Sequence, residues 1–459
     1  MKARSQAGIV AVLILLGGYV IADAVDVAPG ILTAADKPLE PRAYPEVTDF
    51  DVNDAVVPQS EDGEKLSPER IEQVAAALSE DSRNTGSTSF VVRDLQGNVL
   101  YDLSAERGRM PASSIKVLTS AAALNELGPD TTLETTTVLD GDKLYFVGGG
   151  DIYLSEGAGN PASITGRAGL ADLADQSVST LEAAGLTSIE LVADSSLFVG
   201  PDYHENVQGS DQVFIMPMRP MAVNGGMIEG QHVANPDLHA AEIFADHLRD
   251  RGIEVSTVNT GPAPTITEAN TAGVVHSAPV RELVDYTLTM SDNSLAEALG
   301  HLVAAHRGLD ASFGGSAQGV QESLAEQGFD MTGVTISDAA GLSIDNRVTA
   351  NLLTEVLAKA GSCTDCDLSS MPHALPIAGY NGTLAGRYDG LPSEGLVRAK
   401  TGTLIRANSL SGYFTTLEGE TLTFSILIDE LEPGTTQIVR PAIDDAINAL
   451  ATGAEYSAD

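Results

Sequence analysis

Residues 111–119 read Pro-Ala-Ser-Ser-Ile-Lys-Val-Leu-Thr. Proline suits the first turn of a helix and apolar residues follow it, so a helix is predicted here with Ser113 near its N-terminus. Lys116 comes three residues later, about one turn on and on the same face. This spacing places an amine within reach of a hydroxyl, which is one way to make a serine nucleophilic. Taken alone, Ser-x-x-Lys is a weak motif that more often marks an ordinary amphipathic helix, so its meaning depends on the rest of the chain.

Two further motifs follow in order, Ser291-x-Asn293 and Lys400-Thr401-Gly402. The Ser-x-Asn pattern is expected about once by chance in a chain of this size. The Lys-Thr-Gly pattern is sharper, because the chain is poor in lysine and the motif falls on a predicted strand. The three motifs together, in this order, are typical of class A β-lactamases and penicillin-binding proteins.

The bulk composition indicates a large, acidic globular protein. The 459 residues suffice for two or three domains with large cores. Acidic residues outnumber basic ones by 64 to 25, which gives a formal net charge of −39. A polyanion of this size does not bind nucleic acid or an anionic membrane through general electrostatics. We interpret the acidity as a strongly solvated surface that carries no information on the reaction.

The N-terminal segment has the pattern of an export signal. A short basic start precedes an apolar, uncharged run over residues 7–21 and a small-x-small site at residues 22–24. Residues 1–24 are therefore predicted to be a signal peptide or a signal anchor, because the run is slightly short for a spanning helix. Residues 25–65, acidic with scattered prolines, are predicted to be a tether. We expect an exported protein of the cell envelope, secreted or anchored at its N-terminus, that works outside the cytoplasmic membrane.

The rest of the chain mixes helical and strand patterns and predicts an α/β (α+β) fold with an insertion. Residues 66–135 and 276–459 are predicted to form one catalytic domain. The interval between Ser113 and Ser291 is far longer than a short helical subdomain needs, and its middle has strand texture. Residues 136–275 are therefore predicted to be an inserted, β-rich domain. Late strands near 396–403, 411–416 and 421–428 are expected to form an antiparallel sheet, closed by a helix over 441–450.

With these motifs in place, the chain resembles the low-molecular-mass penicillin-binding family of D-alanyl-D-alanine carboxypeptidases and endopeptidases. Members of this family carry a large insertion between the first two active-site motifs. The resemblance covers roughly residues 66–450, and Ala340 stands where the family tends to have serine. Further matching stretches lie at residues 148–151, 194–201, 375–384, 399–403 and 409–413. The resemblance implies a penicillin-binding or serine β-lactamase-like transpeptidase fold, with an antiparallel sheet, flanking helices and a helical subdomain.

The resemblance and the chemistry imply the same catalytic roles. Ser113 is expected to attack the carbonyl of a terminal D-Ala-D-Ala bond in a peptidoglycan stem peptide. Lys116 would act as general base, which requires a neutral amine, and burial and the charge of Lys400 are both expected to lower its pKa. Ser291 would pass a proton to the leaving amine, while Asn293 orients the substrate and the base. Water would then hydrolyse the acyl-enzyme, and β-lactams are expected to acylate the same serine as covalent inhibitors.

Strand residues around the third motif are expected to bind the substrate. Thr401 and Thr403 would hold its terminal carboxylate with help from the charge of Lys400, and Gly402 belongs to the same site. Backbone N–H groups of Ser113 and Thr403 would form an oxyanion hole. The strand itself could pair with the stem peptide.

Alternatives to a carboxypeptidase remain open at this stage. A β-lactamase would need fast hydrolysis of the penicilloyl-enzyme, and an exported wall-binding protein would retain the fold without catalysis. Ser291 and Asn293 could also simply cap a helix. The sequence shows no G-x-S-x-G elbow, which disfavours a Ser-His-Asp hydrolase, and no H-E-x-x-H zinc motif. No metal or cofactor is predicted.

The two cysteines, Cys363 and Cys366, form a C-x-x-C pair. A structural zinc would need two more soft ligands, and a redox site would need a βαβ context that the pattern does not show. In an exported protein we favour a local disulfide across a loop, with free thiols as the alternative.

Overall fold

The computed structural model describes residues 65–457. The predicted export signal over residues 1–24 and the predicted tether up to residue 64 lie outside the described residues. Within the described part of the chain, no helix is long and apolar enough to cross a membrane.

In the sequence, the strands of a second sheet lie between the first two and the last three strands of the first sheet. The helices are α1 (Pro68–Glu80), α2 (Lys116–Leu127), α3 (Leu170–Ala183), α4 (Pro236–Asp250), α5 (Val280–Met290), α6 (Asn293–His306), α7 (Phe313–Glu326), α8 (Ala350–Ser362), α9 (Met371–Ala374) and α10 (Thr436–Thr452). The strands are β1 (Ser87–Asp94), β2 (Val99–Leu103), β3 (Thr132–Asp140), β4 (Lys143–Val147), β5 (Ser188–Asp194), β6 (Met227–Ile228), β7 (Gln231–His232), β8 (Glu254–Thr260), β9 (Thr271–Pro279), β10 (Val397–Leu404), β11 (Ala407–Thr415) and β12 (Thr421–Asp429).

The first sheet joins the two ends of the described chain. Its strand order is β10-β11-β12-β1-β2, and every pair is antiparallel. Alternate residues of β1 enter different cores: Phe90 and Val92 pack with α1 and α10, while Val91 packs with the helical region on the other face. Because both faces are covered, β11 and β12 are buried along nearly their whole length. The strand β10, whose residues include the Lys-Thr-Gly motif, lies at one edge.

Helix α1 covers part of one face of this sheet, and local sequence signals determine where it begins. Ser67 is its N-cap and accepts a hydrogen bond from the backbone N–H of Arg70, and Pro68 occupies the first turn. One stripe of the helix is buried, formed by Ile71, Val74, Ala75 and Leu78.

The second sheet lies between the first two motifs in the sequence. Its order is β8-β5-β4-β3-β9, with β3 antiparallel to both neighbours and β4, β5 and β8 mutually parallel. Parallel neighbours need crossover connections, which α3 and α4 supply, and both helices share a core with the sheet. The sheet begins at Thr132 and ends at Pro279, so the predicted inserted segment 136–275 falls within it.

A helical region made of α2, α5, α6, α7 and α8 covers the inner face of the first sheet. The segment between β5 and β6 packs partly outside the second sheet. Several of its residues contribute to this helical core, among them Phe198, Ile215, Met216 and Ala222. The sequence did not predict α7 or β9. Glycines weaken the helical pattern of α7, and Gly273 and Pro279 weaken the strand pattern of β9, whose pairing with β3 is long-range.

The two cysteines are joined in the structure. Cys363 and Cys366 form a disulfide with Cα atoms 5.9 Å apart, directly after α8. Both side chains pack against the helical core. They lie on a different segment from the three motifs.

Candidate active site

Ser113 lies in a tight turn that precedes helix α2. Residues 112–115 form a single 3₁₀ turn, and Ala112 before the serine has a φ of 47°, in the left-handed region. Ser114 is buried and shares a hydrogen bond of 2.9 Å with Ser409 on β11. The turn therefore uses Ser114 for packing and leaves Ser113 partly exposed. The Oγ atom of Ser113 lies 3.0 Å from the Nζ atom of Lys116, as the three-residue spacing predicted.

Lys116 is fully buried and held by three oxygen atoms. Besides Ser113 Oγ, its Nζ lies 2.7 Å from Asn293 Oδ1 and 2.5 Å from the carbonyl oxygen of Ala340. A charged ammonium donates to all three. A neutral amine can donate to Asn293 and Ala340 only, and its lone pair then faces the hydroxyl of Ser113. The surroundings thus fit the form that a general base requires.

Burial lowers the pKa of Lys116 to about 8. Three carboxyl groups act in the opposite direction and keep the value from falling further: Asp338, Asp292 and Glu297. Lys400 was expected to contribute to this lowering, but the repulsion between the two lysines lowers the pKa of Lys400 instead.

The second motif spans the junction between α5 and α6. Ser291 ends α5 in a left-handed conformation with a φ of 59°. Asp292 is the N-cap of α6 and accepts the backbone N–H of Leu295 at 2.7 Å. The alternative that Ser291 and Asn293 cap the helix that follows them is therefore wrong, because Asp292 is the N-cap of α6; Ser291 is the C-cap residue of α5. The side chain of Ser291 accepts a hydrogen bond from Lys400, and that of Asn293 accepts one from Lys116.

The carboxamide of Asn293 is bound at both ends. Its Oδ1 accepts from Lys116, and its Nδ2 donates to the backbone carbonyl of Phe214 at 2.9 Å. Phe214 ends a 3₁₀ segment, Gly209–Phe214, in the interval between the first two motifs. Two residues on, the N–H of Met216 donates to Ser294 Oγ at 3.0 Å. This segment orients the amide so that its oxygen faces the base.

Lys400 is the second fully buried lysine of the site. Its Nζ donates to Ser291 Oγ at 2.8 Å and to the carbonyl of Thr401 at 2.9 Å. Burial is the largest cause that lowers its pKa well below the usual value, and repulsion by Lys116 adds to it. An anion bound nearby would remove this penalty.

Two glycines allow the three parts of the site to approach each other closely. A Cβ at Gly402 would lie 2.7 Å from the carbonyl oxygen of Pro111, so only glycine lets β10 lie against the turn that bears Ser113. A Cβ at Gly341 would lie 2.0 Å from the carbonyl oxygen of Ala112, and Gly341 also has a φ of 88°. Each glycine thus allows its segment to pack closely against the turn that bears Ser113.

The remaining strand residues line the edge beside Lys400. Thr401 Oγ1 donates to Thr383 Oγ1 at 2.9 Å, and Thr403 is exposed. Thr383 was not identified as a site residue, although its stretch was recognised as similar to the family.

The turn over residues 338–343 supplies a partner that the sequence prediction missed. Asp338 stabilises the turn: its carboxylate accepts the N–H groups of Gly341, Leu342 and Ser343 at 2.7 to 2.9 Å. The turn in this way presents the carbonyl of Ala340 to the base. Glu297, also missed, lies four residues after Asn293 on α6, a spacing that could have placed it on the same helix face.

The described residues contain no group of three or more histidine, cysteine, aspartate or glutamate side chains that could hold a metal ion. His301 is buried against Phe198 and Phe313, and burial lowers its pKa to about 4.

Comparison with known proteins places this arrangement among peptidases. The model of the D-Ala-D-Ala carboxypeptidase 3 (S13) family matches residues 71–234 and 228–452. Carboxypeptidase DacB of Mycolicibacterium smegmatis is 35% identical over 355 residues, which are 73% of this chain and 75% of the relative. A carboxypeptidase of Mycobacterium tuberculosis is 30% identical over 419 residues, 87% of each chain.

A likeness in fold extends to a solved structure. Penicillin-binding protein 4 of Haemophilus influenzae superposes with a TM-score of 0.67 at 22% identity, over 81% of this chain and 98% of that chain. This likeness confirms the predicted fold class, an α/β penicillin-binding fold with an antiparallel sheet and flanking helices.

Proposed function

The chain belongs to the D-Ala-D-Ala carboxypeptidase 3 (S13) family, and on that premise we propose that Ser113 carries the acyl-enzyme of a serine-type D-Ala-D-Ala carboxypeptidase. The substrate is the stem peptide of peptidoglycan, and the enzyme works in the cell envelope. The observation that carries the proposal is a fully buried lysine with its Nζ 3.0 Å from Ser113 Oγ and a pKa of about 8. A buried amine that loses its proton near neutral pH is a competent general base.

Acylation follows from the hydrogen bonds around this base. Neutral Lys116 takes the proton of Ser113 as Oγ attacks the carbonyl carbon of the penultimate D-Ala, because Asn293 and Ala340 already accept its two N–H groups. The tetrahedral oxyanion is held by the backbone N–H groups of Ser113 and Thr403.

The leaving group takes the proton that Lys116 received from Ser113. Collapse of the tetrahedral intermediate breaks the C–N bond, and the departing amine of the terminal D-Ala needs a proton. Ser291, whose Oγ accepts a hydrogen bond from Lys400 at 2.8 Å, relays this proton from Lys116 to the amine, so that Lys116 is neutral again. Water then attacks the acyl carbonyl, and Lys116 again serves as base.

Recognition of the terminal carboxylate uses the edge of β10. Lys400 is buried beside another cation, so a bound carboxylate relieves its electrostatic penalty. Thr401 and Thr403 add hydroxyl donors. β-Lactams resemble the acyl-D-Ala-D-Ala unit, so they acylate Ser113 and act as covalent inhibitors.

The test is labelling and product analysis with the purified ectodomain. Fluorescent penicillin is expected to label the wild type and not Ser113→Ala. A pentapeptide stem is expected to lose one D-Ala by mass, and a cross-linked dimer shows whether the enzyme also acts as an endopeptidase. Equal labelling of Ser113→Ala contradicts the assignment of the nucleophile, and rapid turnover of nitrocefin favours a β-lactamase instead.

A further inference from the structure

Glu297 is a buried carboxyl group directly behind the base. Its side chain is fully buried, and its Oε1 accepts the backbone N–H groups of Ala339 and Ala340 at 2.7 and 2.8 Å. Its Oε2 is buried and has no hydrogen-bond partner among the described residues. A half-satisfied buried carboxyl is costly, so its presence calls for a reason beyond packing.

The geometry connects Glu297 to both ends of the catalytic pair. By holding the N–H of Ala340, it fixes the peptide group whose carbonyl, that of Ala339, accepts Thr119 Oγ1 at 2.8 Å, on the same helix as Lys116. It also restrains the residue Ala340 itself, whose own carbonyl, in the next peptide group, lies 2.5 Å from Lys116 Nζ. The single oxygen Oε1 therefore sets the position of the turn relative to α2.

The charges around Glu297 form a closed group. The charge of Lys116 on α2 attracts it, that of Asp338 in the turn repels it, and His301 on its own helix has Nδ1 3.9 Å from Oε2. The Nδ1 atom of His301 instead donates to the backbone carbonyl of Glu297 at 2.8 Å, and the ring is neutral because burial lowers its pKa to about 4. Among these neighbours, Lys116 alone can compensate a negative charge on Glu297.

We propose that Glu297 is a positioning residue for Lys116 and that the two side chains share one proton in the resting site. The proton on Lys116 gives a buried ion pair, and the proton on Glu297 leaves both groups neutral, with the amine free to act as base. No bond other than N–H and O–H changes in this exchange, and the proton equilibrates with solvent. The proposal rests on the proposed role of Lys116.

The electrostatics agree with a shared proton. Burial and the nearby Asp338 raise the pKa of Glu297 to about 8, close to the value to which burial lowers that of Lys116. Two interacting groups with similar values lose their protons in steps that belong to the pair. A negative charge on Glu297 stabilises the ammonium and so opposes formation of the base.

The test is the pH dependence of kcat/KM for D-Ala release by Glu297→Gln. The amide oxygen still accepts both N–H groups, but the negative charge and the proton site are lost. We expect the acidic limb of the profile to move by about one pH unit to lower pH, because the ammonium loses its anionic neighbour. Glu126→Gln, on the same helix as the base but paired with Arg307, is the matched control and should leave the limb in place. An equal loss of activity at every pH with an unmoved limb would show a purely structural role.

A second measurement does not need an active enzyme. Infrared difference spectra of the wild type across pH 8 should show the loss of a protonated carboxyl band, which is absent from Glu297→Gln if that variant folds. If the wild type shows no such band, the proposal that Glu297 and Lys116 share a proton is wrong. The presence of the band in an enzyme that fails to be acylated would reject the proposed function while leaving the proton site intact.

Discussion

The helical side and the strand side of the site each hold a fully buried lysine, and the two lysines have different surroundings. On the helical side, Lys116 has three oxygen partners and is stabilised in its charged form by Asp338, Asp292 and Glu297. On the strand side, the described residues give Lys400 a hydroxyl and a carbonyl, and the charge acting on it is the repulsive one of Lys116.

This difference fits the two roles that we propose, a base for Lys116 and an anion receptor for Lys400. The carboxyl groups keep the pKa of Lys116 at about 8, where the amine can both lose and regain a proton near neutral pH. Lys400 lacks such compensation in the free protein, and on our proposal a substrate carboxylate supplies it. Burial alone therefore does not assign a role to a lysine; the sign of its charged neighbours does.

The largest expected effect comes from removing the base. Lys116→Met should reduce the rate of acylation by about a thousandfold, because general base catalysis is lost while the apolar stem still fills the buried space. Stopped-flow acylation by a reporter β-lactam measures this. Lys143→Met, an exposed lysine on β4 paired with Glu190, is the control and should acylate at the wild-type rate. Similar acylation rates in the two variants would show that Lys116 is not the general base.

Removing the other lysine should act mainly on binding. Lys400→Met is expected to lower kcat/KM for a peptide with a free terminal carboxylate by about 10- to 100-fold, the value of one charge-assisted hydrogen bond. A substrate whose terminal carboxylate is replaced by an amide should lose much less. Equal losses for both substrates would contradict the role of Lys400 as the carboxylate receptor.

The wild-type pH profile is predicted from Lys116 directly. Below pH about 8 the amine is protonated and cannot accept the proton of Ser113, so kcat/KM should fall by about tenfold per pH unit on the acidic side. The fall should be shallower near the midpoint if two groups share the titration. A profile that is flat through this range would mean that Lys116 is not the group that must lose a proton.

The smallest expected effect is that of Asp292. Asp292→Asn keeps the N-cap of α6, because asparagine caps as well as aspartate. It removes a carboxylate that raises the pKa of Lys116, so the limb should move to lower pH, by a small amount because Asp292 is only partly buried and solvent screens its charge. Thermal melting serves as the control and should change little. An unmoved limb would show that the charge of Asp292 does not act on Lys116.

Much of the architecture was predictable because its signals are local. The late strands predicted near 396–403, 411–416 and 421–428 correspond to β10, β11 and β12, and the helix predicted over 441–450 lies within α10. The family, the fold class and the carboxypeptidase activity are confirmed by the comparisons. The roles of individual residues stay predictions that the experiments above address.

The sequence by itself determined the spacing that brings Ser113 to Lys116, since three residues make about one helical turn. It also determined the motif side chains, because their chemistry is visible in the residue types. The tertiary structure alone decided what completes the base. The carbonyl of Ala340 lies 224 residues away in the chain, and that of Phe214 orients Asn293 from 79 residues away. Every residue has a backbone carbonyl, so no residue type marks the ones that matter; only the folding of distant segments onto one turn selects them.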